Sequence, residues 1–315
     1  MDKSFKVTVA GAGVMGQRIA QVIAQYGYTV TLYNRSESKF APALEQIRKN
    51  LESLAELGQI APADIAPVFE RIVCTSDFEA AMKDADMVIE SVSENKDLKR
   101  EFFAKLSAFC RKDCILTSNT SSINIFECVE VEAPERLVIT HFFHPAYVMP
   151  LVELVKGPET SEKTADTAKE FLESIGKRVA VLNKVIPGFI LNRISMAILR
   201  EASYIVEQGA ATPEDVDMVM ESLMGPRYAF EASFRLCDFC GLDIMKDLSG
   251  LLFPVLSDAK TTPQLILDKV AEGNLGPKQG NGFYDYPDPA ESLKKRDVRI
   301  VKMLQAIDKI RKETE

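Results

Sequence analysis

Only two histidines occur among the 315 residues, His141 and His144, and both lie in the stretch THFFHPAYVMPLVELVKG at 140–157. Histidine both takes and gives a proton near neutral pH, so a site built for acid–base chemistry has two candidates, three positions apart. A second set of chemistry-bearing residues stands near the N-terminus. VTVAGAGVMGQRIA places Gly11, Gly13 and Gly16 directly after a β-rich run and at the start of a helical one. In that context the spacing predicts a dinucleotide loop. Gly11 permits a tight turn, Gly13 admits a pyrophosphate to the backbone, and Gly16 lets helix and strand close up. Free N–H groups at the start of the helix then hold the phosphates.

A loop of this kind is usually answered, at the end of the second strand, by an acidic residue that binds the ribose hydroxyls of NAD. Here the strand YTVTLY is followed by Asn34-Arg35-Ser36. Asn34 removes the charge that repels a 2′-phosphate, Arg35 supplies a guanidinium that clasps one, and Ser36 adds a hydroxyl. The reading leans towards NADP(H). The alternative keeps Asn34 as a neutral ribose acceptor for NAD, with Arg35 facing solvent. The six cysteines include CDFC (Cys237, Cys240) and CRKDC (Cys110, Cys114), spacings known from zinc and redox pairs. Neither pair has a nearby histidine or a knuckle-like glycine, so no metal is expected and the thiols read as small buried apolar groups.

These residues need elements to hold them. Predicted strands at Lys6–Ala10, Thr29–Tyr33, Arg71–Cys74, Met87–Ser91, Cys114–Ser118, Leu137–Phe142, Leu151–Val155 and Val179–Leu182 alternate with helical stretches such as Gln17–Tyr26 and Glu162–Ile175. The alternation predicts an α/β Rossmann domain over residues 1–185, a mostly parallel, doubly wound sheet with helices on both faces. Residues 37–70 hold about two helices' worth of insertion between the second and third strands. From Pro187-Gly188 the pattern turns helical, with Leu191, Ile194, Ile198, Ala202 and Ile205 on one face. Residues 186–315 therefore read as an all-α domain. Ile300, Met303, Leu304, Ile307 and Ile310 mark a final amphipathic helix whose apolar face must be covered by the body or by a partner chain.

The bulk figures narrow the partners. Hydrophobic residues make up 46 % and charged residues 27 %, the balance of a soluble globular protein. A net charge of −8 argues against a nucleic-acid groove or an anionic membrane surface. A small anionic ligand remains compatible, because helix N-termini act locally. No apolar run approaches the ~18 residues of a membrane span. MDKSFKVTVAGAG enters a strand pattern at once, without a secretory segment. With scattered cysteines, this gives the cytoplasm as the expected compartment.

Further motifs are more specific. VAGAGVMGQRIA, VIESVSENKDLKREFF, TSNTSS, THFFHPAYVMPLVELVKG, PGFILNR and GNGFYDYP follow one another in this order. From about residue 4 to residue 287 the chain resembles the L-3-hydroxyacyl-CoA dehydrogenase family. The resemblance implies a Rossmann domain followed by a helical domain that takes part in substrate binding and usually dimerises, so a homodimer is expected. It implies a catalytic pair at His141 and Glu153, with Ser121 and Asn192 as further active-site positions. Glu94 and Lys99 match a nicotinamide-side pair, and Val14, Met15 and Asn119 join the glycines and Asn34-Arg35-Ser36 in the expected cofactor set. On that footing His141 takes the alcohol proton in oxidation and returns it in reduction, while Glu153 fixes its tautomer and orientation. The strand LVELV can present Glu153 beside the strand that ends near His141. Ser121 can bond the reacting oxygen and Asn192 the neighbouring carbonyl. His144 stands where the family usually carries Asn, and reads as a residue shaping the turn before Pro145. The implied activity is interconversion of a short 3-hydroxyacyl-CoA, of the 3-hydroxybutyryl kind, and its 3-oxo partner with NAD(P).

Two departures bear on the substrate. Where bacterial 3-hydroxybutyryl-CoA dehydrogenases often carry a basic KGK for the CoA phosphates, this chain has ELGQ at 56–59, leaving Lys39, Arg48 and Lys49 as the expected substitutes. MGPRYAF at 224–230 resembles branches acting on free hydroxy acids, such as L-gulonate 3-dehydrogenase and the lambda-crystallins. A free 3-hydroxy acid is thus the alternative substrate. A non-catalytic dinucleotide-binding or structural protein is the third reading, and the joint presence of His141, Glu153, Ser121 and Asn192 argues against it.

Overall fold

A computed structural model describes residues 1–314. The chain divides into two compact units, Met1–Leu191 and the residues from Asn192 on. The first unit alternates strands and helices: β1 (Val7–Ala10), α1 (Val14–Gln25), β2 (Val30–Tyr33), α2 (Phe40–Glu56), α3 (Ile65–Glu70), β3 (Ile72–Thr75), α4 (Phe78–Met82) and β4 (Met87–Glu90). It continues with α5 (Lys96–Phe109), β5 (Ile115–Ser118), α6 (Ile125–Cys128), β6 (Leu137–Phe142), β7 (Leu151–Lys156), α7 (Glu162–Ser174) and β8 (Arg178–Leu182).

The eight strands form one sheet in the order β3-β2-β1-β4-β5-β6-β7-β8. Every neighbouring pair is parallel except β6–β7. Parallel strands buried on both faces read as continuous apolar runs, and β1, β4 and β5 are wholly buried. One face carries Ile19, Ile23, Tyr28, Leu51 and Phe171; the other carries Phe103, Leu106, Ile125 and Phe189. The insertion is α2 and α3, which add Ile47, Leu51 and Val68 to the first of these clusters. Strand order reverses between β1 and β4, and in open α/β sheets ligands bind at the carboxyl ends of strands at such a switch point.

The first unit ends six residues beyond the expected boundary. Val185 and Ile186 pack on its core, Phe189 is buried within it, and the N–H groups of Ile190 and Leu191 are bonded to Glu153. Long-range packing of this kind leaves no periodic signal in the sequence.

The second unit is helical: α8 (Leu191–Glu207, whose first residue closes the first unit), α9 (Pro213–Val219), α10 (Gly225–Tyr228), α11 (Ser233–Cys240), α12 (Leu242–Leu252), α13 (Gln264–Ala271) and α14 (Pro289–Thr314). Among its described residues only Ser203 and Val301 are buried. Among all described residues no helix is long and apolar enough to cross a membrane.

Candidate active site

The glycine loop joins β1 to α1. Gly11 has φ +122°, and a Cβ there would lie 2.4 Å from the Ser91 carbonyl oxygen. A Cβ on Gly16 would lie 1.8 Å from the Gly11 carbonyl oxygen. Both approaches exclude any side chain, whereas a Cβ on Gly13 would meet nothing within 4 Å. The loop is therefore closed on the protein side and open on the ligand side. No side chain caps α1 at Gly13, so its first N–H groups face outward, as an anion site requires.

Gly11, Gly13, Val14, Asn34, Arg35 and Ser36 line one cavity of about 1060 Å³. Met15, also expected at the cofactor, packs its side chain on the core. The cavity's far wall is aromatic. Phe78 meets Tyr33, Phe102 and Phe109 edge-on, at ring separations of 5.4, 5.8 and 5.5 Å. Such an apolar wall beside an anion cradle fits a dinucleotide with its flat base.

At the end of β2, Asn34 accepts the Ala12 N–H through Oδ1 (3.3 Å) and donates through Nδ2 to the Ser36 carbonyl (3.0 Å). Arg35 is exposed and has no ion-pair partner among the described residues. Lys39 lines the same cavity. The structure thus separates it from Arg48, whose guanidinium lies 4.6 Å from the Phe69 ring centre, and from Lys49, which pairs with Glu45 at 3.4 Å. Lys39 precedes α2, the helix that carries the other two.

The two acid–base residues sit on antiparallel neighbours. In the β6–β7 ladder His141 lies directly opposite Glu153, so both side chains leave the same face of the sheet. Nδ1 of His141 is 2.9 Å from Oε2 of Glu153, and both residues are buried, at 5 % and 1 % exposure. The second carboxylate oxygen accepts the N–H groups of Ile190 (2.9 Å) and Leu191 (2.8 Å) where α8 begins. Burial alone pushes the Glu153 carboxyl up, but the bond to His141 and those two N–H groups outweigh it and hold the group below its ordinary range. An ionised carboxylate only accepts, so Nδ1 of His141 carries a proton, and in the neutral ring the lone pair is on Nε2. The rings of Phe143 and Phe189 flank the imidazole at 4.4 and 5.6 Å. Phe189 holds φ +50°, within a turn that aims the next two N–H groups at Glu153. Its part was not visible in PGFILNR.

Ser121 is exposed on the turn after β5, and its N–H donates to Glu94 (3.1 Å). The same Glu94 oxygen accepts the Thr120 hydroxyl at 2.6 Å. Burial pushes Glu94 up, yet the Thr120 hydroxyl, Lys99 and the Ser121 N–H together hold it below the usual carboxylate range. Lys99, expected beside the cofactor, is 1 % exposed and bonded to Glu90. Asn119 uses its Oδ1 to accept the Phe142 N–H (2.8 Å), which joins the ends of β5 and β6. His144 is exposed, at the cis peptide bond to Pro145. Asn192 is half-buried in the first turn of α8 and opens the second unit. The cavity lining does not include His141, Glu153, Ser121 or Asn192.

Residues 6–185 match the family of the 3-hydroxyacyl-CoA dehydrogenase NAD binding domain, and residues 188–286 that of the 3-hydroxyacyl-CoA dehydrogenase C-terminal domain. A probable 3-hydroxybutyryl-CoA dehydrogenase of Bacillus subtilis is 38 % identical over 287 residues, covering 89 % of this chain and 97 % of its own. The solved (S)-3-hydroxybutyryl-CoA dehydrogenase of Ralstonia eutropha aligns with a TM-score of 0.73 and 31 % identity, over 90 % of this chain and 99 % of its own. A solved 5-formyl-3-hydroxy-2-methylpyridine 4-carboxylic acid 5-dehydrogenase, an NAD+-dependent dismutase, aligns with a TM-score of 0.86 and 29 % identity, over 96 % of this chain and 98 % of its own. With both domains matched in order and relatives similar along nearly their whole length, the chain belongs to the 3-hydroxyacyl-CoA dehydrogenase family.

Proposed function

We propose that the chain interconverts a short 3-hydroxyacyl-CoA, of the 3-hydroxybutyryl kind, and its 3-oxoacyl-CoA, with His141 as acid–base and Glu153 as its orienting partner. The observation that carries this reading is the buried, directly opposed His141–Glu153 pair, bonded at 2.9 Å with Nε2 left as the base. When bound, the nicotinamide supplies the hydride acceptor in oxidation and the donor in reduction. Nε2 of His141 takes the hydroxyl proton in the first case and returns it in the second, and Glu153 stabilises the imidazolium between. Ser121 and Asn192 serve the substrate oxygens, while Arg48 and Lys49 on α2 meet the CoA phosphates. The test is a matrix of acetoacetyl-CoA, acetoacetate and L-gulonate against both nicotinamide cofactors, scored by kcat/KM. Acetoacetyl-CoA is expected to lead, because binding energy from the CoA arm is used at the reacting carbon.

A second reading, a free carboxylic acid as substrate, is favoured by one observation. The solved structure that aligns over 96 % of this chain at a TM-score of 0.86 is that of an enzyme named for a free pyridine carboxylic acid. Equal turnover of thioester and free acid would put this reading first.

For the cofactor, the family supports NAD binding. We infer a preference for NADP(H), since β2 is followed by a neutral Asn34, an unengaged Arg35 and, on the same cavity, Lys39. Arg35→Ala is expected to weaken NADP(H) roughly 10-fold or more beyond any effect on NAD(H), the scale of a lost charged hydrogen bond. Equal weakening of both would remove the inference. The assembly we propose is a homodimer through the second unit, supported by how little of that unit is buried within one chain. Six cysteines, none bridged, support a cytoplasmic setting.

A further inference from the structure

Glu90 ends β4 as the only charged residue of MVIE and is completely buried. Both of its carboxylate oxygens lie 2.8 Å from Nζ of Lys99. Oε2 also accepts the Ser118 hydroxyl (2.6 Å), and Oε1 the Val92 N–H (2.7 Å). Lys99 turns its remaining side to Oε2 of Glu94, at 3.3 Å. Oε1 of Glu94 gathers the turn that follows β5, accepting the Thr120 hydroxyl, the Ser121 N–H, the Ser122 N–H and the Ser122 hydroxyl at 2.6, 3.1, 3.2 and 3.1 Å. The backbone carbonyl of Glu90 accepts the Asn119 N–H (2.8 Å), and Asn119 in turn accepts the N–H of Phe142, the neighbour of His141. The buried carboxylate therefore ties the ends of β4 and β5 together, and the backbone carbonyl of the same residue reaches β6 through Asn119.

A buried ion pair is a weak source of stability, and an apolar pair of similar volume often serves as well. An apolar pair could not hold a third charged group in place. We propose that Glu90 is a positioning residue for the reaction: acting through Lys99 it fixes the Glu94 carboxylate, and through Glu94 the backbone of Ser121. Lys99 in this arrangement orients Glu94. The proposal rests on the active-site reading of His141 and Ser121 above. The groups facing Glu94 are Lys99 from α5, Thr120, Ser121 and Ser122 from the turn after β5, and Glu90 from β4 behind the ammonium. In a variant with Met at 99 and a neutral Gln at 90, Glu94 loses its cation, so it takes a proton at higher pH.

The test uses the full chain, with Glu90→Gln, the double variant Glu90→Gln/Lys99→Met, and His141→Asn as reference. Thermal unfolding and the pH profile of kcat/KM for acetoacetyl-CoA are measured for each. The double variant, freed of the Glu90–Lys99 charges, is expected to unfold close to the parent temperature. Its kcat should nevertheless fall roughly 10- to 100-fold, the scale of a small misplacement near the reacting atoms. The acidic limb of its profile should move to higher pH. If it keeps parental kcat and the parental acidic limb while His141→Asn is inactive, the network is structural only and the proposal is overturned. Should the double variant not fold, Glu90→Gln decides alone: a folded, fully active protein overturns the proposal, and a folded protein with reduced kcat supports it. Full activity of His141→Asn would instead overturn the active-site reading, and this proposal with it.

Discussion

At the scale of single residues, the decisive feature is that one carboxylate does two jobs with its two oxygens. Oε2 of Glu153 holds the His141 ring, while Oε1 is held by the N–H groups of Ile190 and Leu191. Glu153→Gln keeps the volume and an acceptor for those N–H groups, but its amide no longer demands the Nδ1–H tautomer. A loss of roughly 10²- to 10⁴-fold in kcat is expected, the range for impaired acid–base catalysis, with circular dichroism and cofactor affinity near the parent. Unchanged kcat would mean that the Glu153 charge does not serve the base. His144, exposed at its turn, gives the complementary case. His144→Asn is expected to retain most activity, and a loss as large as that of His141→Asn would transfer the assignment to the other histidine.

At the scale of elements, the pair depends on the turn joining β6 to β7, because that turn sets the register that opposes His141 to Glu153. A buried lysine holds it. Lys177, just before β8, donates from Nζ to the carbonyls of Ala146 (2.6 Å) and Met149 (2.9 Å). Burial lowers its pKa from 10.5 to about 8. Between those values the unfolded chain holds a proton that the folded chain has lost, so Lys177 makes stability rise with pH across that window. The stability of the parent relative to Lys177→Met should therefore increase from about pH 8 to 10.5, by at most about 3 kcal/mol. Paired denaturant titrations at several pH values measure it. A difference that stays flat or falls would show that the charge of Lys177 is not resisted by its surroundings.

At the scale of the whole molecule, the two units differ in how they bury apolar surface. The first has two extensive clusters against its sheet. The second leaves Phe234, Phe253 and Leu251 at 89, 72 and 71 % exposure. The proposed homodimer would cover apolar side chains of this kind. Sedimentation equilibrium at micromolar concentration is expected to give a dimer. Phe234→Asp together with Phe253→Asp should shift it towards monomer and lower its unfolding temperature. A parent chain that is monomeric under those conditions would rule the homodimer out.

What the sequence by itself determined was local or carried by motif. Eight short β-rich runs alternating with helical stretches located the eight strands, because a strand buried in a parallel sheet is legible within its own run. Glycine spacing located the loop, because only glycine fits where a Cβ would lie 1.8 or 2.4 Å from a carbonyl oxygen. Resemblance brought His141 and Glu153 together as a pair, 12 positions apart. Tertiary structure decided what depends on contacts between distant segments. It set the antiparallel register that opposes the pair, and the extension of the first unit to Leu191 through Phe189. It also placed Lys39 on the cavity beside the glycine loop and buried Lys99 between Glu90 and Glu94. Glu90 left one legible sign, a charge closing an otherwise apolar strand. Its partner Lys99 stands nine positions on, in a different element, and only the packing of α5 against the strand ends brings them within 2.8 Å.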